Sequence, residues 1–272
     1  MKPLSAWPIE ERRQLIGVFT DIDDTLTTDG AITPDALQAL ADLKAAGVHV
    51  LPITGRPIGW CEPFARGDAV VGIAPWPVDA IVAENGAVAV AWENHGKLTK
   101  IYQQSEAVRN SNFTRMQQVA AEVLRKVSGA KLSQDSPGRE TDIAIDHSEF
   151  THLPPGQITQ TVRLMQNAGM NATVSSIHIN GWFGDHNKLA GARWIVRALF
   201  QRQLDDEIDQ WAYVGDSTND QVMFQHFNNS VGVANVRRFE AGLSHPPSYI
   251  SPSERGAGFT EVAQAILQAR GP

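Results

Sequence analysis

Apolar residues follow two rhythms along this chain. At Leu15–Thr20, His49–Ile53, Ala80–Ala83, Trp211–Val214 and Ser230–Val233 they form short, nearly unbroken runs, the pattern of strands buried on both faces of a parallel sheet. Between them lie segments of helical period. Thr33 is placed as an N-cap with Pro34 at the first helical position, Leu37, Leu40 and Leu43 recur on one face, and Gly47 marks the stop. Further helices are predicted over Pro57–Arg66, Lys188–Phe200 and Asp220–Phe227, and from Phe259 onward. Strand alternating with helix requires right-handed crossovers, so the fold class is α/β, a doubly wound parallel sheet of Rossmann-like kind.

After Asn85 and Gly86 the rhythm changes. Strands are predicted at Ala87–Trp92 and Leu98–Gln103, joined by a turn at Asn94–Gly96, and an amphipathic helix over Phe113–Val127. A strand at Asp142–Ile145, a helix at Ile158–Ala168, and strands around Ala172–Val174 and Ile177–Asn180 complete the block. Its strands alternate in polarity, which suits a sheet covered on one side only. The expectation is an α+β cap domain at 91–183, inserted into a core formed by 1–90 and 184–272.

Composition narrows the function classes. The 272 residues are 42% hydrophobic and 19% charged, enough for a real core, and the formal charge of −7 opposes a generic polyanion binder, so no nucleic-acid partner is expected. Cys61 is the single cysteine, which forbids an intramolecular disulfide and any zinc ribbon or CxxC redox motif. With no apolar run near the ~20 residues of a membrane span and no apolar stretch in the first residues, a cytoplasmic protein without a membrane partner is expected.

Two acidic clusters follow apolar runs at the same register: Asp21, Asp23 and Asp24 after the first strand, and Asp216, Asn219 and Asp220 after Trp211–Val214. In open α/β sheets ligands bind at the carboxyl ends of strands. Capping and turn formation account for one or two of these acids and not for both clusters. Carboxylates converging at one sheet edge repel unless a cation lies between them, and an all-oxygen set with room for water suits Mg²⁺. Other metal and nucleotide motifs fail: an EF-hand loop from Asp21 would have Leu26 where glycine is needed and Ile32 where a glutamate belongs, Asn219 breaks a nucleophile elbow, Ala91 breaks a P-loop, and there is no HExxH.

The set Asp21-x-Asp23-x-Thr25, Thr54-Gly55 after the second strand, Lys188, and Gly215-Asp216-x-x-Asn219-Asp220 resembles, in order, the four motifs of the haloacid dehalogenase (HAD) superfamily. The insert falls where C2-cap members carry their cap, and Asn85-Gly86 is similar to the Cof-type and sugar-phosphatase branch. The resemblance implies a Mg²⁺-dependent phosphomonoester hydrolase acting on a small phosphorylated metabolite, a sugar phosphate foremost. It implies Asp21 as nucleophile, Asp23 as general acid and base, and Thr54 and Lys188 as holders of the transferring phosphoryl oxygens. The metal would be held by Asp21, the Asp23 carbonyl and Asp216, with Asn219 and Asp220 as ligands or supports. Thr25, Gly55, Arg56 and Asn85 are expected near the substrate; His178 and Asn180, which share a strand face with Trp182, are the cap's candidates. An acid at position 23 sets the chain apart from relatives that dehalogenate. A phosphomutase, and a non-catalytic phosphate-binding module, are the alternatives. Residue 24 is Asp where Cof-type relatives more often carry Gly, and its side chain is expected to turn away from the site.

Overall fold

The computed structural model describes residues 1–92 and 97–271, so the turn expected at Asn94–Gly96 lies outside the described residues. Six parallel strands form the central sheet in the order Lys2–Pro3, Tyr249–Ile250, Asn229–Gly232, Trp211–Gly215, Gly17–Thr20, His49–Pro52. The chain winds outward from Gly17–Thr20 in one direction through His49–Pro52 and in the other through Trp211–Gly215. Its switch point therefore lies between the two strands that end in Asp21 and Asp216, where an α/β sheet leaves a crevice.

Both faces of the sheet are buried, as the unbroken apolar runs require. Val18, Val50, Ala212 and Val214 face a layer built on the Pro34–Ala45 and Arg255–Arg270 helices, whereas Phe19, Leu51, Trp211 and Tyr213 face the Lys188–Phe200 and Gln221–His226 side. The expected helices form with ends shifted by a few residues, except that the one expected from Phe113 begins at Glu106.

The first correction concerns the hairpin after Gly86. Val88–Trp92 pairs antiparallel with Ala80–Ala83, Leu98–Tyr102 pairs with Val88–Trp92, and Ala80–Ala83 joins the central sheet through a parallel bridge between Ile53 and Val82. The hairpin extends the core sheet, and the boundary expected at residue 91 falls inside one of its strands. Alternating polarity marks a one-sided strand in either unit, so the pattern alone could not assign it.

The inserted unit has its own sheet, antiparallel in the order Asn171–Val174, His178–Trp182, Ile143–Asp146, Lys131–Leu132, backed by helices Glu106–Lys126 and Pro155–Asn167. Met116, Val123, Ile145, Met165 and Ile179 fill the space between sheet and helices. His178 and Asn180 of this sheet, and Asp142 just before its Ile143–Asp146 strand, are buried polar residues, and Asn180 reaches the core domain at Gly55.

Candidate active site

Asp21 leaves the sheet directly after Gly17–Thr20, and its backbone N–H still donates to the Val214 carbonyl at 2.8 Å, which fixes it beside the Trp211–Gly215 strand. Its Oδ1 accepts from Lys188 Nζ at 2.7 Å, and the same ammonium donates to Asp220 Oδ1 at 2.7 Å. Asp220 is saturated: Oδ1 also accepts from the Tyr213 hydroxyl, and Oδ2 accepts from the backbone N–H groups of Asp216 at 2.9 Å and Ser217 at 3.1 Å. Four donors on one carboxylate hold the Asp216 loop and Lys188 in register.

Asp216 is 1% exposed. Its Oδ2 accepts from Asn235 Nδ2 at 3.0 Å, while Oδ1 is buried with no hydrogen-bond partner. Oxygens of Asp21, Asp216 and Asp220 lie within 4.8 Å of one another. Burial pushes the Asp21 carboxyl up to about 7, with Asp220 and Asp23 adding to the rise and Lys188 opposing it. Asp216 is driven well above the carboxylate range by burial and then by Asp21 and Asp220. Burial draws the Lys188 ammonium down, but Asp21 and Asp220 outweigh it and keep the group charged. An orphaned, buried carboxylate oxygen beside two further carboxylates is a donor set that fits a hard divalent cation.

Asp23 sits at the other side of the pocket, bidentate with Arg56 (Nη2 to Oδ1 2.9 Å, Nε to Oδ2 3.0 Å). Arg56 is thus already paired within the pocket. Thr54 Oγ1 accepts from the Arg56 backbone N–H at 3.0 Å, and the Gly55 carbonyl accepts from Asn180 Nδ2 at 3.2 Å and Arg139 Nη1 at 2.9 Å. Asp21, Asp23, Thr54, Arg56, His178 and Asn180 line one pocket, with Asn219 at its edge and the Ser175–Ile177 turn of the inserted sheet over it. That pocket encloses ≈ 10 Å³, room for about one water.

Thr25 does not line this pocket; its hydroxyl is buried without a partner. Asn85 borders a larger neighbouring cavity of ≈ 520 Å³ with Lys188 and Asn219. Trp182 packs in the core of the inserted unit and donates Nε1 to the His186 carbonyl at 2.8 Å, so it does not join His178 and Asn180 at the site. Asp24 adopts φ 55°, which explains the preference for glycine there, and its carboxylate turns outward to Arg255 Nε at 3.1 Å as expected.

Several site residues escaped the sequence reading. Asn235 anchors both Asp216 and the Asp24 carbonyl (3.0 Å each), and its Oδ1 accepts from the Arg255 backbone. Asp135 and Glu149 pair with Arg56 at 3.1 and 2.8 Å, and Glu149 with His178 Nε2 at 2.8 Å. None belongs to a local motif, so spacing gave no signal for them.

Residues 18–126 match the family model described as haloacid dehalogenase-like hydrolase. Over 93% of its length the chain superposes on 98% of a Thermoplasma acidophilum protein, 0175, with TM-score 0.69 at 16% identity. The fold is that of the haloacid dehalogenase-like hydrolases. A HAD/COF-like hydrolase from Plasmodium vivax is similar over 96% of this chain and 99% of its own (TM-score 0.68, 15% identity). The sucrose-phosphatase of Synechocystis, solved with sucrose and phosphate, is similar over 93% and 98% (TM-score 0.62, 16% identity). In sequence, a phosphatase-named protein of Streptococcus pyogenes is 57% identical over 42 residues; that match spans 15% of this chain and 16% of the relative's length. Among the described residues no helix is long and apolar enough to cross a membrane.

Proposed function

We propose that the protein hydrolyses small phosphomonoesters, sugar phosphates foremost, with Mg²⁺ and through an aspartyl-phosphate on Asp21. The observation that carries this reading is the Asp21–Lys188–Asp220 chain beside Asp216, whose buried Oδ1 has no partner. Asp21 has one oxygen tied to Lys188, which leaves the other to attack phosphorus. As the bond from Asp21 oxygen to phosphorus forms, the bond from phosphorus to the ester oxygen breaks, and Asp23, having taken up a proton from solvent on the oxygen that Arg56 releases, gives it to the departing alkoxide. Asp23 then takes a proton from water, which attacks phosphorus, releasing inorganic phosphate and restoring the Asp21 carboxylate. Lys188 and Thr54 hold the phosphoryl oxygens through both steps. Asp21, Asp216 and the Asp23 carbonyl would hold Mg²⁺, with Asn219 at the margin and Asp220 as their support rather than a ligand, since its oxygens are already taken. The cation, when bound, offsets negative charge on the phosphoryl group.

The nearly closed pocket admits no phosphate ester, so on this reading the cap opens for entry and closes to exclude water. Likeness in fold to a sucrose-phosphatase supports a sugar phosphate. The test is phosphate release from a phosphomonoester panel with Mg²⁺ and no bisphosphate activator. Asp21→Asn is expected to lower kcat at least about 10³-fold and to remove the trapped acyl-phosphate seen by mass spectrometry in the wild type, whereas Asp23→Asn is expected to lower it by about 10²–10⁴-fold. Full turnover by Asp21→Asn would refute the covalent route.

A further inference from the structure

If the proposed hydrolysis holds, the alcohol half of the substrate leaves beside Asp23, and the wall it meets there is Arg56 and His178, backed by carboxylates of the inserted unit. Arg56, 7% exposed, is ringed by three carboxylates: Asp23 of the core, and Asp135 and Glu149 of the cap. Glu149 accepts from both Arg56 and His178, so His178 faces the pocket with its ring already engaged. The second guanidinium of this wall, Arg139, is committed to Asp142 at 2.7 Å, Asp135 at 3.2 Å and the Gly55 carbonyl. Every cation here is neutralised from within the wall, and carboxylates outnumber guanidiniums. The side chains of Asp135 and Glu149 nevertheless keep 12% and 21% of their surface exposed. A carboxylate offers about four acceptor positions, so each retains capacity for another donor.

We infer that Asp135 and Glu149 form an anion-excluding filter on the leaving-group side of the site, selecting phosphomonoesters whose alcohol half carries hydroxyl or ammonium donors and no negative charge. An incoming carboxylate meets like charge at a half-buried position and gains no free cation, because releasing Arg56 would strand Asp135 and Glu149 even where Asp23 carries its proton. A hydroxyl or ammonium meets open acceptors instead. The phosphoryl group itself is served by Lys188, which is bonded to Asp21 and Asp220 and to no carboxylate of this wall.

The experiment compares kcat/KM at pH 8 for near-isosteric pairs: glycerol 3-phosphate against glycerate 3-phosphate, and phosphoethanolamine against 2-phosphoglycolate, with p-nitrophenyl phosphate as a generic reference. The uncharged or cationic member of each pair is expected to be preferred about tenfold or more. The preference should shrink several-fold in Glu149→Gln and Asp135→Asn and reverse in Glu149→Lys. Equal or greater turnover of the carboxylate member by the wild type overturns the filter, and needs no variant to fold. A preference unmoved in a folded Glu149→Gln/Asp135→Asn double variant that still hydrolyses p-nitrophenyl phosphate also overturns it, by placing the selectivity elsewhere. No hydrolysis of any compound, p-nitrophenyl phosphate included, removes the phosphatase reading and the filter with it.

Discussion

At the scale of the residue, the acids near 21 and 216 differ sharply in what surrounds them. Asp220 is satisfied by four protein donors, while Asp216 keeps one oxygen bare and is steadied by a single amide, Asn235. The two therefore divide the labour: Asp220 builds the site and, on the proposed reading, Asp216 is left for the cation. Asn235→Ala would free Asp216 to swing and leave the Arg255 N–H unpaired, so Mg²⁺ affinity is expected to fall about 10–100-fold with smaller loss of kcat at saturating metal. A Mg²⁺ titration of the rate checks this; an unchanged half-saturation point would show that Asn235 does not set Asp216. The two acids were legible because each follows an apolar run that can only be a buried strand, which fixes them to one sheet edge. Asn235, Asp135 and Glu149 were not, since they reach the site through tertiary contacts from segments with no periodic or motif signature.

Among the elements, the critical contact is between the turn after Ala80–Ala83 and the helix that carries Lys188. Glu84, Asn85 and Gly86 all have positive φ, and Gly86 lies so close to the helix that a Cβ on it would stand 2.5 Å from the Asn187 carbonyl. Gly191 answers it: a Cβ there would meet Gly86 Cα at 2.5 Å. These two glycines let the helix approach until Lys188 reaches Asp21. Gly191→Ala should push the helix outward and cost about 1–3 kcal/mol of stability, and should also depress turnover by displacing the ammonium. Thermal unfolding and kcat measured on the same preparation test this; a destabilised variant with undiminished kcat would separate the packing from the catalytic geometry. Glu84 adds a second tie, accepting from the backbone of Ile58 in the core at 3.0 Å and of Glu140 in the cap at 3.1 Å. The sequence made the strands and helices here plain through their apolar periods. It assigned most of the Val88–Tyr102 hairpin to the insert, because a strand's alternation reports that one face is covered and not by what.

For the whole molecule, burying three clustered acids sets carboxylates against one another, and this links stability to pH and, on the proposed reading, to the cation. Asp21 and Asp216 have carboxyls raised by burial, Asp21 to about 7. A group whose folded pKa lies above its unfolded value stabilises the fold while protonated, and that contribution is lost as pH climbs from the unfolded value through the folded one. Buried His186 and His147 act in the opposite sense, their pKa values lowered by burial, His186 to about 4, but their effect is complete above the ordinary histidine value of ~6.5. Carboxylates pulled down by ion pairs, Asp135 to about 2 and Glu149, act only in more acidic solution. Between pH 6.5 and 8 the raised acids dominate, Asp21 and Asp216 together with Asp142 of the inserted unit, which burial likewise lifts to about 7, so chelator-treated protein should melt at a lower temperature at pH 8 than at pH 6.5. Mg²⁺ binds the ionised form, so it should raise the melting temperature more at pH 8 than at pH 6.5. Asp216→Asn removes one of the coupled charges and should flatten both dependences. Differential scanning calorimetry with and without Mg²⁺ at the two pH values decides the matter: a melting temperature that rises with pH in chelator, or a Mg²⁺ increment that shrinks from pH 6.5 to 8, would mean that the charge cluster is not what the cation neutralises.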